Sequence, residues 1–198
     1  SNNVGVGYNA GNDITTGTQN TLLGALAGDA ITDADANVAL GYATLSTNVL
    51  GSKSVAIGTG ALFTQNPVDG SGNPEAANMY NVAVGDSAGN AITTGVQNTF
   101  VGALAGDATD DGTNNVAVGF EALSANCGSG NTVLGTRAGK VTTADNNTLV
   151  GLNAGTGLLG GAGNTLIGSS SGDAITIGDS NVQLGYLTEA SAVDVDAE

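Results

Sequence analysis

A short pattern that recurs every 16 to 17 residues restricts the fold of this chain more than any other feature. Each unit begins with Asn, or with Ser in one case, passes through a β-branched and an aliphatic residue to a Gly, and has a small residue at its eighth position. The units start at Asn3, Asn20, Asn37, Ser54, Asn81, Asn98, Asn115, Asn131, Asn147, Asn164 and Asn181. The interval after Ser54 is ten residues longer than the usual 17, so the fourth unit contains an insertion. Positions are numbered below from the first residue of a unit.

The columns of this repeat predict the local structure. Positions two and four are β-branched or aliphatic in every unit, and residues two apart in a strand point to the same face. No 3.6-residue apolar period of useful length is present, which argues against a strand–helix unit. We therefore expect an all-β parallel β-solenoid of eleven coils, with positions two and four stacked as a thin core. The asparagine amides of successive coils should bond to each other as a ladder.

Two sets of residues receive a structural role from this pattern. The fifth position is always Gly, which suits a corner where φ is positive or a side chain would clash. The corner glycines are Gly7, Gly24, Gly41, Gly58, Gly85, Gly102, Gly119, Gly135, Gly151, Gly168 and Gly185. The asparagine ladder is assigned chiefly to Asn20, Asn37, Asn81, Asn98 and Asn115.

The insertion is the most distinctive segment of the chain. We assign residues 1–187 to one solenoid domain with an inserted loop at about 63–80, and residues 188–198 to an acidic tail or the start of a flanking segment. Loops that project from a rigid scaffold often bind ligands. The loop residues proposed for binding are Phe63, Asn66, Pro67, Asp69, Asn73, Pro74 and Tyr80. The alternative is an insertion that is tolerated without any ligand.

Bulky residues at two positions of the repeat have two interpretations. Aromatic side chains follow the corner glycine at Tyr8, Tyr42, Phe120 and Tyr186, and leucine replaces the ninth-position glycine at Leu45, Leu62 and Leu123. These side chains either seal an interface between subunits or fill the interior of the solenoid itself.

The charge of the chain excludes several classes of partner. Three basic residues stand against 18 acidic ones, which gives a net charge of −15. Such a chain can hardly neutralise phosphates, so we expect no nucleic acid and no anionic bilayer as partner. No apolar run approaches the roughly 18 residues that a membrane span needs, so no membrane insertion is expected. The absence of histidine removes the commonest general base and metal ligand.

Candidate catalytic and metal-binding residues are few. Clustered carboxylates are possible Ca²⁺ ligands, and the alternative is a solvated acidic turn. The candidates are Asp29, Asp33 and Asp35 in one cluster, and Asp107, Asp110 and Asp111 in another. Cys127 has no histidine to activate it and is interpreted as a turn residue. Partial matches to nucleotide-binding loops at Gly5–Ala10 and Gly139–Lys140 lack the required context or residues. We expect neither a cofactor nor catalysis.

The repeat resembles that of a known family. The segments Asn81–Gly85, Asn115–Gly119 and Ser54–Gly58 are similar to the head repeats of trimeric autotransporter adhesins of the YadA type. The arrays of Asn-Thr-x-x-Gly-x-x-Ala-Gly also resemble repeats in tail and head fibres of bacteriophages, and the resemblance covers nearly the whole chain. It implies a left-handed β-roll, a homotrimer, attachment to a cell-surface receptor or glycan, and a location outside the cell, on a cell surface or on a virion.

These observations lead to one expected function and one alternative. The expected function is a non-catalytic structural or adhesive fibre domain that presents surface loops for attachment. The repeats begin at the third residue with no polar cap, which motivates the alternative. In that alternative the chain is a subunit of an extracellular filament that stacks end to end without a dedicated ligand.

Overall fold

The structure, a computed structural model, describes residues 2–188, and within them it contains thirteen strands and no helix. Eleven strands form one parallel sheet whose order follows the chain, and two short strands form a second parallel sheet. The strands are β1 (Val4–Val6), β2 (Thr21–Leu23), β3 (Val38–Leu40), β4 (Gly51–Ser52), β5 (Val55–Ile57), β6 (Ala77–Asn78), β7 (Val82–Val84), β8 (Thr99–Val101), β9 (Val116–Val118), β10 (Thr132–Leu134), β11 (Thr148–Val150), β12 (Thr165–Ile167) and β13 (Val182–Leu184). The expected parallel β-solenoid of eleven coils is confirmed. The proposed acidic tail lies outside the described residues, except for Thr188.

The strands of the large sheet are stacked without any shift in register. Val4 pairs with Thr21, Thr21 with Val38, and Val38 with Val55, so each residue lies over its equivalent in the next coil. Neighbouring strands are about 4.8 Å apart, so eleven coils make a rod roughly 50 Å long. Every position of the repeat therefore becomes a column that runs along the rod.

The assignment of the core columns from the sequence is wrong. Position three points inwards: Leu22, Ala39 and Phe100, for example, are at most 1% exposed. Positions two and four point outwards, and Leu23 and Leu40 at position four are 44% and 37% exposed. The sequence suggested the opposite because position three varies between Gly, Ala, Val, Leu, Phe and Gln, whereas the outward columns are uniform.

Interior space is shared between positions three and nine of each coil. Where position three is Leu or Phe, position nine is Gly, and a Cβ at Gly106 would lie 2.6 Å from the Phe100 ring. Where position nine is leucine, position three is alanine; the leucines Leu45, Leu62 and Leu123 are fully buried. These three leucines therefore fill the interior of the solenoid and do not seal an interface between subunits.

The fifth-position glycines form the corner after each strand of the large sheet. Their φ angles lie between 122° and 143°, a region that L-residues with side chains rarely adopt. At the first ten corners a Cβ would also lie 2.1 to 2.8 Å from the carbonyl group of the next corner glycine. Adjacent backbones approach so closely there that no side chain fits.

The first-position asparagines connect the coils, although mostly through the backbone. The backbone N–H of Asn98 donates to Oδ1 of Asn81 at 2.9 Å, and the backbone N–H of Asn115 donates in the same way to Asn98. The Asn98 Nδ2 donates to the carbonyl of Gly112 within its own coil at 2.8 Å. Each amide thus closes its own coil and holds the next one. Direct amide–amide bonds, which the sequence suggested, occur between only some of the pairs.

The serine at the start of the fourth unit interrupts this ladder, and a buried glutamine occupies the gap. Oε1 of Gln65 accepts hydrogen bonds from Ser54 Oγ and from Asn81 Nδ2, each at 3.0 Å. Gln65 stands at the twelfth position, which is Ile or Leu in five other coils. The glutamine therefore replaces the missing amide from a different place in the coil.

Candidate interaction surface

The outer face of the eleven-stranded sheet is an uncharged and largely apolar surface. It consists of positions two and four of all coils, and these 22 side chains are Val, Thr, Leu or Ile without exception. The exposed large side chains of this face are Val4, Val6, Leu23, Leu40, Val101, Val118, Leu134, Ile167, Val182 and Leu184. A continuous apolar surface along a whole rod exceeds the scattered exposed residues of an ordinary soluble monomer.

No charged residue lies on this face, although the chain carries a net charge of −15. Among residues 2–188, the acidic side chains other than Asp86 and Glu121 lie at positions ten to sixteen or in the inserted loop. Outside β4, these positions form the turns and connecting segments between one strand of the large sheet and the next. Charge is therefore segregated away from the apolar face, which is the distribution expected of a surface that becomes covered.

Two columns border the face and each contains a single charged residue. The residue just before each first position forms the leading column, whose one charged member is Lys53. The sixth position forms the trailing column, whose one charged member is Asp86. The trailing column also contains exposed aromatic residues, Tyr8, Tyr42, Phe120 and Tyr186, with exposed fractions of 43% to 74%. These four aromatic side chains do not fill the interior.

Lys53 lies against a tyrosine of the next coil. Its Nζ is 3.4 Å from the Tyr80 hydroxyl and 5.4 Å from the centre of the Tyr80 ring. Lys53 precedes β5 and Tyr80 precedes β7, so the ammonium group reaches from one coil towards the next. Tyr80 belongs to the proposed ligand loop, and in the structure it lies beside the sheet face and not at the tip of the loop.

The other residues of the proposed ligand loop are divided between structural positions and the exposed tip. Pro67 is buried, Phe63 is half-buried, and Oδ1 of Asn66 accepts a hydrogen bond from the backbone N–H of Val49. Asn73 and Pro74 are exposed at the tip.

The tip itself is an antiparallel turn closed by an aspartate. Residues 68 and 74 pair, and Asp69 Oδ1 accepts hydrogen bonds from the backbone N–H groups of Ser71 and Asn73. The hydrogen bond from the Asn73 N–H, followed by that from the Ser71 N–H, lowers the pKa of Asp69. The carboxylate therefore stays ionised and holds the turn.

Most of the proposed calcium ligands instead bond hydroxyl groups of a neighbouring coil. Asp33 Oδ1 accepts hydrogen bonds from Thr16 and Thr15 at 2.6 and 2.7 Å, and these two bonds lower its pKa. Asp29 binds Ser46, Asp35 binds Thr18 and Asp110 binds Thr93 in the same manner. Asp111 is exposed. Residues 2–188 contain no group of three or more acidic, cysteine or histidine side chains placed to hold a metal ion.

Asp107, the remaining candidate, is half-buried beside an ion cluster. Burial raises the pKa of its carboxyl group, and its Oδ1 has no hydrogen-bond partner among the described residues. On the adjoining coils, Glu121 Oε2 accepts hydrogen bonds from Lys140 at 2.8 Å and from Arg137 at 2.9 Å. These contacts lower the pKa of Glu121. Lys140 and Arg137 thus both have an anionic partner within the chain.

Cys127 is a buried side chain between two coils. It is 2% exposed, and its Sγ lies 3.2 Å from the Thr109 hydroxyl. Burial raises the pKa of the thiol to about 11, so it remains protonated at neutral pH and is a poor nucleophile.

The inserted loop also borders an open cleft of about 310 Å³. Its lining comprises Asp33, Asp35, Leu50, Ser52, Ala76, Ala77 and Asn78. The two carboxylates use their Oδ1 atoms to accept hydrogen bonds from Thr15, Thr16 and Thr18.

The fold and surface define the class of the molecule as a parallel β-solenoid with one uncharged apolar face. Comparison with protein-family models, with curated proteins and with solved structures gave no match. Within the described residues, no helix is long and apolar enough to cross a bilayer.

Proposed function

We propose that this chain is a non-catalytic fibre domain that assembles as a homotrimer and presents its inserted loops for attachment to a cell surface. The observation that supports this proposal is the uncharged apolar face along an otherwise acidic rod. Packing such faces together removes the exposed Val, Leu and Ile side chains from water, at about 25 cal/mol for each Å². The acidic turns would remain outside, where they keep the assembly soluble.

The proposed mechanism is multivalent presentation. Each coil is held to the next by backbone bonds, asparagine side chains and stacked core residues, which makes a stiff support. Three copies would hold three loop tips at one level of the rod. Several weak contacts to a receptor or glycan then add up, because the second contact forms at a high effective concentration.

The resemblance to the YadA-type heads and to bacteriophage fibres supports three further parts of the proposal. These are the left-handed winding, the threefold symmetry, and the location outside the cell, on a cell surface or on a virion. A crystal or electron-microscopy structure of the assembled protein tests the first two.

The apolar face can be tested by a charge placed on it. We expect Leu134→Lys, on the face and 39% exposed, to convert the assembly to monomers, because three lysines cannot be buried together without partners. Leu159→Lys is the matched control, since Leu159 is 51% exposed but stands at position thirteen. Light scattering gives the mass of each variant. Equal masses for both variants and the parent would contradict the use of this face.

Attachment is tested separately from assembly. Replacing residues 69–73 by a Gly-Ser linker should leave the mass unchanged and reduce binding of the labelled protein to its target cells. Unchanged binding would remove the loop from the proposal. Long filaments in electron micrographs, in place of discrete particles, would favour the alternative function of a self-stacking structural filament.

A further inference from the structure

The charged residues of the leading and trailing columns indicate how the copies are aligned. Of the eleven residues in the leading column only Lys53 is charged, and of the eleven in the trailing column only Asp86 is charged. Both side chains are exposed, and they have opposite signs. They lie on opposite borders of the same apolar face.

The two charges also lie at nearly the same height on the rod. Lys53 precedes β5 and Asp86 follows β7, and β5 and β7 are neighbours in the sheet. The Lys53 ammonium lies over the Tyr80 ring, and Tyr80 precedes the same strand that Asp86 follows. The cation is therefore directed to the coil that holds the anion.

The two residues do not meet within one chain. Strand β7 and the Gly85 corner separate Tyr80 from Asp86, and Lys53 lies at the Tyr80 end of that strand. The ion pairs among residues 2–188 are those of Glu121 with Arg137 and Lys140, so neither Lys53 nor Asp86 takes part in one. The Lys53 contact within the chain is to the uncharged Tyr80. Covering an ion without an oppositely charged partner is costly, so covering the apolar face favours pairing of each charge with one from another copy.

We propose that Lys53 of one copy pairs with Asp86 of the next, so that the copies lie side by side, parallel and level. This inference rests on the proposed self-association through the apolar face and specifies its geometry. When copies are related by rotation about an axis parallel to the rod, the leading column of one copy lies next to the trailing column of its neighbour. An antiparallel arrangement would instead place leading column next to leading column and trailing column next to trailing column.

A shift along the rod would lose this pair without gaining an equivalent one. Among residues 2–188, the only other carboxylate next to the trailing column is that of Glu121 at position seven, and Glu121 is already bonded to two cations of its own chain. A shift would also uncover coils of the apolar face at both ends. The Lys53–Asp86 pair therefore sets the register, whereas the apolar columns supply the contact area.

Cysteine cross-linking tests the alignment. We expect the variant Lys53→Cys/Asp86→Cys to form covalent oligomers under mild oxidation. The two single variants should form none alone but a covalent dimer when refolded together. The native Cys127 does not interfere because it is 2% exposed. Leu159→Cys/Asp86→Cys is the control and should not cross-link, since residue 159 stands at position thirteen and belongs neither to the face nor to its two bordering columns.

Charge exchange provides a second measurement. Lys53→Glu or Asp86→Lys should each weaken assembly about tenfold or more in light scattering, because three weak pairs per trimer act together. The double exchange should recover the parent affinity.

The results separate this inference from the proposed function. Assembly of the Lys53→Cys/Asp86→Cys variant without any cross-link would overturn the inference alone, as would cross-linking of the Lys53→Cys variant to itself. A parent chain that stays monomeric at all concentrations contradicts both proposals.

Discussion

The corner glycine is the residue least open to substitution in each coil. It combines a φ angle that disfavours side chains with a neighbouring backbone inside van der Waals distance. Other corners are more tolerant: Leu26, Leu45 and Glu121 adopt φ angles of 59°, 50° and 52°. Such conformations cost roughly 1 kcal/mol or more for a residue with a side chain, and the close packing of the coils compensates for this cost.

Substitution of one corner glycine should be strongly destabilising. At Gly102 a Cβ would lie 2.5 Å from the carbonyl oxygen of Gly119, with φ at 134°. We expect Gly102→Ala to lower the free energy of unfolding by about 3 kcal/mol, from the clash and the strained φ together. Gly70→Ala is the control, because a Cβ there meets nothing within 4 Å. Urea denaturation followed by circular dichroism measures both; similar losses would contradict this explanation.

At the scale of the coil, the interior is a volume shared by two positions. The third coil has Ala39 with Leu45, whereas the second coil has Leu22 with Gly28. A Cβ at Gly28 would lie 3.0 Å from Leu22, so a large side chain at one position requires a small one at the other. The two arrangements bury similar side chains from different points on the backbone.

Exchange of these two residues tests the shared volume. Leu45→Gly alone should cost about 2–4 kcal/mol through a cavity, and Ala39→Leu alone about 1–3 kcal/mol through overpacking. The free energy of unfolding of the double variant should lie within about 1 kcal/mol of the parent value, since the variant has the residues of the second coil at positions three and nine. A double-mutant cycle from urea denaturation gives the coupling, and additive losses would show that the positions do not share space.

The same sharing explains why the sequence predicts the solenoid and not its inner face. Period, strand positions and corners follow from columns in which a residue type repeats, such as Asn98 and Gly102. The inward position repeats no residue type, because Phe100 and Ala117 are both accommodated by changes at position nine. A uniform column normally indicates burial, so the sequence predicts positions two and four as the core, whereas in the structure they face outwards.

At the scale of the whole molecule, the candidate surface cannot be recognised from the sequence while positions two and four are assigned to the core. Once positions two and four are known to face outwards, the absence of charge on them becomes informative, and Lys53 and Asp86 become its borders. The exposed aromatic residues could be predicted as far as two alternatives, of which the structure excludes the filling of the interior. The loop candidates Asn66 and Asp69 could not be separated from ligand residues by sequence, because their bonds to Val49 and Ser71 depend on tertiary contacts.

The one-to-one stacking of the strands has a consequence for a rod that is pulled by its ends. Hydrogen bonds between coils run along the rod, so tension loads the bonds of one coil at a time and not all of them in shear. Each released coil of about 17 residues adds roughly 55 Å of length. We expect force spectroscopy to show a regular staircase with this step. The rod would then act as an extensible tether that dissipates work coil by coil.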